Sequence, residues 1–272
     1  MIDRRSVLTA IISAALLPPS LAMNSPAAAQ GTTGAERLST GLSSPVGMAF
    51  DRSEHLYVAE WGAGRVSRIE LDGTRTTFAD DLPGPSGLAI DADGNIYVAS
   101  YSRDEIYRFT PNGSRETWLT GLATPAGLGF DRAGWLLVAN RRTNEILAFD
   151  AGKTRHVAVS GLRTPVGAVH RPDNGFIVSN IGGGVTIVRG DGSRIETGEA
   201  LRTPGPGIAQ TSSGRVFVVD YGGTGIHEIF EDGRTSLFVD GLSNPVGLTV
   251  SPSGDLFSAD WGNGAVYRIR LA

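Results

Sequence analysis

The 272-residue sequence has no cysteine, a single lysine (Lys153), few aromatic residues and no apolar stretch long enough to cross a bilayer. Without cysteine, disulfides and thiolate metal sites are both excluded, so stability has to come from packing. Without a basic run there is nothing to neutralise a phosphate backbone, and nucleic acid is excluded as a partner. Apolar residues at 3.6 spacing are also missing, which excludes a helical repeat.

The N-terminus differs in character from the rest. Arg4 and Arg5 precede the apolar run Val7 to Leu17, then Pro18-Pro19 and the small-residue stretch Ala27-Ala28-Ala29. Eleven residues are too few to span a membrane, and this order of charge, apolar run and small residues predicts a signal peptide over residues 1–30, twin-arginine-like in its paired arginines. The mature chain, 31–272, is then expected in the periplasm or secreted, with no membrane span. Removing Asp3, Arg4 and Arg5 leaves 22 basic and 27 acidic residues, a formal charge of −5.

Glycine sets the register of the mature chain. Gly47, Gly87, Gly127, Gly167, Gly207 and Gly247 stand forty residues apart without a gap, giving six copies of one unit. Each copy starts with a short apolar segment such as Met48 to Phe50, turns at a polar tetrad such as Asp91-Ala92-Asp93-Gly94, and continues into a second run such as Leu56 to Ala59. Two further segments are joined by Asp72-Gly73, Asn112-Gly113 or Asp232-Gly233, which are strong hairpin signals. Four strands of about five residues and their turns account for the period. The second segment is apolar without alternation, so both of its faces are buried and sheets must stack on either side. Radial stacking predicts an all-β, six-bladed β-propeller of four-stranded antiparallel blades.

The sixth copy ends after three strands, at Leu271-Ala272. "GAERLSTGL", Gly34 to Leu42, aligns with "TRTTFADDL", Thr74 to Leu82, so the N-terminal segment is expected to supply the missing outer strand and close the ring. The recurring glycine has a reason in this arrangement, because inner strands converge on the axis and a residue without Cβ lets backbones come close. Arg75, Arg115, Arg155 and Arg234 open outer strands, where their charge guards the sheet edges.

The pattern P-x-G-x-A-x-D-x-x-G-x-x-Y-V-A over residues 33 to 272 resembles the NHL-repeat propellers and the senescence marker protein/gluconolactonase superfamily. Such propellers include lactonases, lyases and plain binding modules, so the resemblance bears on fold more than on activity. It implies a divalent cation such as calcium near the axis, with an Asn or Asp between the Pro and Gly of some repeats among the ligands. That column here is Val46, Ser86, Ala126, Val166, Pro206 and Val246, and a hard cation needs several oxygen ligands. Streptogramin lyases are similar at Glu60-Trp61-Gly62-Ala63-Gly64, and their histidine position in the same column is Val46.

Two further columns carry candidate chemistry. Glu60, Ser100, Asn140, Asn180, Asp220 and Asp260 end the second strands. Glu60, Asn140, Asn180, Asp220 and Asp260 are the candidate metal ligands, although a ring of second-strand ends has a radius of roughly 10 Å, wider than one cation bridges. The structural reading is that each side chain caps its own turn. Next come Trp61, Tyr101, Arg141, Ile181, Tyr221 and Trp261, in loops where aromatic rings are not required by blade packing. An acidic, aromatic arc of Glu60-Trp61, Asp220-Tyr221 and Asp260-Trp261 is expected opposite Arg103, Arg141 and Arg142, with rings for stacking and guanidinium forks for an anion. The structural reading is that the rings cover blade seams. His170 replaces an apolar residue of the first strand, either in a hydrogen bond with Gln210 or as a general base.

Two functions are compatible with these columns. One is an exported, monomeric propeller that binds a small polar molecule, a protein or a peptide through Trp61, Tyr101, Arg103, Arg141, Arg142, Tyr221 and Trp261. The other is a metal-dependent lactonase, hydrolase or lyase with Glu60, Asp220, Asp260 or His170 as catalytic candidates.

Overall fold

Residues 34–197 and 199–271 are described by a computed structural model, and the expected export signal over residues 1–30 lies outside them. In the first repeat, strands Pro45–Phe50, Leu56–Glu60, Arg65–Ile69 and Arg75–Ala79 pair in that order as antiparallel neighbours. The unit recurs, giving six four-stranded sheets. Their inner strands contact one another all the way round, including Pro45–Phe50 of the first blade against Pro245–Val250 of the sixth.

Closure occurs as the alignment of the N-terminal segment predicts. Ala35–Ser39 is the outer strand of the sixth blade and pairs with Ala265–Ile269, Ala35 opposite Ile269 and Ser39 opposite Val266, with a bulge between Arg37 and Ser39. Leu42 comes next in the chain and is buried with Met48, Leu56 and Val58 of the first blade and with Phe257 and Val266 of the sixth. Hydrophobic cores lie in the seams between blades, and the unalternating second strands result from that, since each faces a seam on both sides.

Local chemistry sets the turns at the ends of the strands. The Oδ1 atoms of Asp51, Asp91 and Asp131 each accept the N–H groups two and four residues on, which folds the tetrad between inner and second strands. Gly73, Gly113 and Gly233 take φ of 85°, 87° and 89° in the hairpins to the outer strands. The outer-strand arginines do more than charge an edge. Arg75, Arg115 and Arg194 donate to the carbonyls of Thr40, Asp81 and Ser160, each at the end of the preceding blade's outer strand.

At Gly247 a Cβ would fall well inside van der Waals contact of the Val46 carbonyl oxygen, across the seam that closes the ring. Neither strand can withdraw without losing its ladder. Gly247→Ala is therefore expected to destabilise the propeller by about 1–3 kcal/mol, the usual range for forcing an extra carbon into a packed site. At Gly129, whose backbone is ordinary extended strand, a Cβ would make only a van der Waals contact with the Ala168 carbonyl oxygen at 3.5 Å, so Gly129→Ala serves as the comparison in urea unfolding.

Candidate functional site

The inner strands do not meet on the axis, and the space between them opens toward the interblade loops. The resulting cavity holds about 410 Å³. Its wall is built from the same three positions in every blade, for example Val46-Gly47-Met48 and Ser86-Gly87-Leu88. Its mouth is formed by one side chain per blade: Trp61, Tyr101, Arg141, Ile181, Tyr221 and Trp261. Those six are the loop column that the sequence singles out. All are half-buried.

Short backbone devices position them. Trp61 and Arg141 begin one-turn 3₁₀ segments, Trp61–Ala63 and Arg141–Thr143, each ended by a left-handed residue, Gly64 at φ 63° and Asn144 at φ 59°. Trp61 meets Tyr101 edge-on with ring centroids 4.9 Å apart. The Arg141 Nη1 donates to the Tyr101 hydroxyl at 2.9 Å, and the guanidinium lies 5.9 Å from that ring. On the fifth and sixth blades, Tyr221 and Trp261 lie 6.2 Å apart, tilted by 42°. The four rings come from consecutive blades, the fifth, sixth, first and second, and so form one aromatic arc, with Arg141 of the third blade at its end beside Tyr101. Arg103 and Arg142 are exposed and line no part of the cavity.

The acidic part of the expected arc is directed elsewhere. Glu60, Asp220 and Asp260 are 0%, 5% and 0% exposed, and their carboxylates accept backbone N–H groups of the segment that enters the same blade. Glu60 accepts from Ser43 at 2.7 Å, Asp220 from Thr203 at 2.8 Å and Arg202 at 3.1 Å, and Asp260 from Ser243 at 2.7 Å and Asn244 at 3.1 Å. Asn140 and Asn180 accept from Ala123 and Arg163 in the same register. These side chains therefore latch the incoming connection about 17 residues upstream, and do not merely cap their own turns. The second blade explains why the residue type varies: its entering segment has Pro83, which lacks an N–H, and Ser100 donates its hydroxyl to the Pro83 carbonyl at 2.6 Å.

Glu60 has a second set of partners. Arg65 Nε donates to it at 2.8 Å and Nη2 at 3.0 Å, and the Ser67 hydroxyl also reaches it. Burial alone would raise the Glu60 carboxyl, but the Arg65 guanidinium, the Ser67 hydroxyl and the Ser43 N–H outweigh it and hold the group below its ordinary value.

His170 lies at the far end of its inner strand, away from the mouth, and lines no part of the cavity. Its Nδ1 accepts the Arg132 N–H at 3.4 Å and its ring tilts against Phe176, while Gln210 reaches the Gly214 carbonyl. The expected His170–Gln210 bond is not formed, because Gln210 turns back into its own hairpin.

The donor set does not fit a calcium-like cation. The axial column is Val46, Ser86, Ala126, Val166, Pro206 and Val246, and its one hydroxyl, Ser86, donates to the Pro125 carbonyl at 3.1 Å. Among the described residues no group of three or more His, Asp or Glu side chains is placed to hold a metal ion. A ligand of wholly polar character also finds few partners on this wall. What the position-by-position reading missed was the inner wall itself, Met48, Leu88, Leu128, Ile208 and Leu248, whose apolar character signals burial equally well in a filled core.

No protein-family model matches the sequence, and no curated protein matches it. Solved structures do. A gluconolactonase from Xanthomonas campestris superposes with a TM-score of 0.78 at 18% identity, over 88% of this chain and 89% of that one. The catalytically inactive virginiamycin B lyase from Staphylococcus aureus with quinupristin gives 0.65 at 17% identity, over 86% and 87% of the two chains. A chain of the nidogen/laminin complex gives 0.70 at 22% identity, over 80% and 89%. With its six sheets and its N-terminal closure, this chain is a six-bladed β-propeller of the fold that those three proteins share.

Proposed function

We propose that this chain is an exported binding propeller that takes one small ligand into the axial cavity through the interblade-loop face. The carrying observation is the mouth: one side chain from every blade converges there, four of the six are aromatic, and those four come from consecutive blades and form one arc along the rim of the open volume. A cavity of about 410 Å³ falls within the roughly 300–1,000 Å³ typical of small-molecule sites. Among the described residues the lining includes no carboxylate and no imidazole, which favours binding over proton-transfer chemistry. Export rests on the paired arginines and apolar run of the N-terminus.

The neutral fluorophore N-phenyl-naphthylamine tests the cavity directly. One molecule is expected to bind per chain, and Trp61→Ala and Trp261→Ala are each expected to weaken it about tenfold, a loss of about 1.4 kcal/mol that matches removal of one stacking ring. No binding, or affinity indifferent to both substitutions, would reject the reading. A protein partner on the same face is the second reading, favoured by the exposed Arg103 and Arg142 and by the likeness to a chain of the nidogen/laminin complex. Reversing both charges, Arg103→Glu with Arg142→Glu, would abolish that interaction and leave the fluorophore site intact.

A further inference from the structure

We propose that the axial cavity selects a monocarboxylate with an apolar, ring-bearing body; this rests on the binding-cavity reading and names the chemistry of its ligand. Charge comes first. Arg141 is the charged side chain of the lining, and among the described residues its guanidinium forms no ion pair and a single hydrogen bond, from Nη1 to the Tyr101 hydroxyl. That bond and the ring beside it hold the head at the mouth. Nε and Nη2 remain available on the other edge, where two parallel N–H groups match the two oxygens of a carboxylate.

Nearby acids do not cancel this cation. Glu60 and Asp220, Asp260 as well, each precede a mouth residue in the chain, yet all three are buried beneath the rim and occupied by backbone N–H groups. They neither pair with Arg141 nor present charge to a ligand inside. An anion entering the mouth therefore meets one uncompensated positive group. Geometry gives room for a single fork and hence for a single carboxylate.

The wall decides the rest of the molecule. Beyond Arg141 the side chains are aliphatic, and the Ser86 hydroxyl is already committed to the Pro125 carbonyl. A polyol in this space would leave buried hydroxyls unpaired, whereas an apolar body loses nothing on leaving water. With its carboxylate on Arg141, a ring system packs against the aromatic arc that runs from Tyr101 through Trp61 and Trp261 to Tyr221. The lone fork rejects a neutral analogue of the same shape, because Arg141 would then be desolvated without a counter-charge.

Naphthoate and its neutral counterpart naphthamide separate the two claims when each competes with N-phenyl-naphthylamine. Naphthoate is expected to displace the fluorophore at roughly ten- to a hundredfold lower concentration than naphthamide, the ratio that one charge-assisted hydrogen-bonded pair produces. Arg141→Gln should bring the ratio close to one, both competitors being measured against that variant's own fluorophore affinity, and Arg141→Lys, which keeps charge without the fork, should fall between. Thermal melting of both variants checks that the fold is retained. Equal potency in the unsubstituted protein, a preference that survives Arg141→Gln, or failure of both competitors against a bound fluorophore overturns the carboxylate assignment and leaves the cavity reading standing. Failure of the fluorophore itself to bind overturns both.

Discussion

A chain beginning at Ser43 is expected to lose its cooperative fold, whereas one beginning at Gly34 keeps it. Cutting at Ser43 removes Ala35–Ser39 from the edge of Ala265–Ile269 and leaves that strand's outward N–H and C=O groups without partners. It also removes Leu42, 5% exposed, from the seam it fills with Met48, Val58 and Phe257. Loss of a buried leucine alone costs about 2–5 kcal/mol, and each ladder hydrogen bond contributes about 1 kcal/mol more. Their sum is of the order of the whole stability of a domain, about 5–15 kcal/mol. Urea unfolding monitored by circular dichroism should show a broad or absent transition, with association through the exposed strand edge. A synthetic peptide of residues 34–42 added in trans should restore the transition by occupying that edge. A sharp transition at unchanged urea in the shortened chain, without peptide, would mean that the first and sixth blades hold together unaided.

Architecture was legible because a repeat averages out local noise. One Asp-Gly pair is a modest turn signal, but Asp72-Gly73 repeated as Asn112-Gly113 and Asp232-Gly233 at the same register allows few other folds. The mouth was legible for a related reason: the position after each second strand must fall on a loop at one end of the ring, so Trp61, Tyr221 and Trp261 had to share a face. Side-chain direction was not. A carboxylate such as Asp260 looks the same in sequence whether it points to a ligand or to the Ser243 N–H, since that partner lies 17 residues upstream and no pattern of period two reveals it. Pro83 facing Ser100 was the available clue, because a donor replaces an acceptor only where the partner's N–H is missing. The depth of the cavity was likewise hidden, since valine and alanine line an empty channel and a filled core alike.

Glu60→Ala is expected to destabilise the propeller by about 2–4 kcal/mol. The substitution leaves the Ser43 N–H, the Ser67 hydroxyl and the Arg65 guanidinium without their common acceptor. Breaking a fully buried pair costs about 3–5 kcal/mol, and the 31% exposure of Arg65 lets water recover part of that. The pH dependence separates charge from packing. Because the folded state holds the Glu60 carboxyl below its ordinary value, the native protein binds fewer protons than the unfolded chain in that range. The contribution is fully present above the ordinary glutamate value of about 4.3 and is lost as pH falls through the lower, folded value. The stability gap between the natural protein and Glu60→Gln, which keeps an acceptor but no charge, should therefore be constant from neutrality down to about pH 5 and shrink below about pH 4. In contrast, Ser100→Ala removes one neutral hydrogen bond, costs about 1 kcal/mol and shows no such acid dependence. A gap for Glu60→Gln that stays level into acid would mean that the carboxylate acts as a shape alone and that its pairing with Arg65 contributes nothing to the latch.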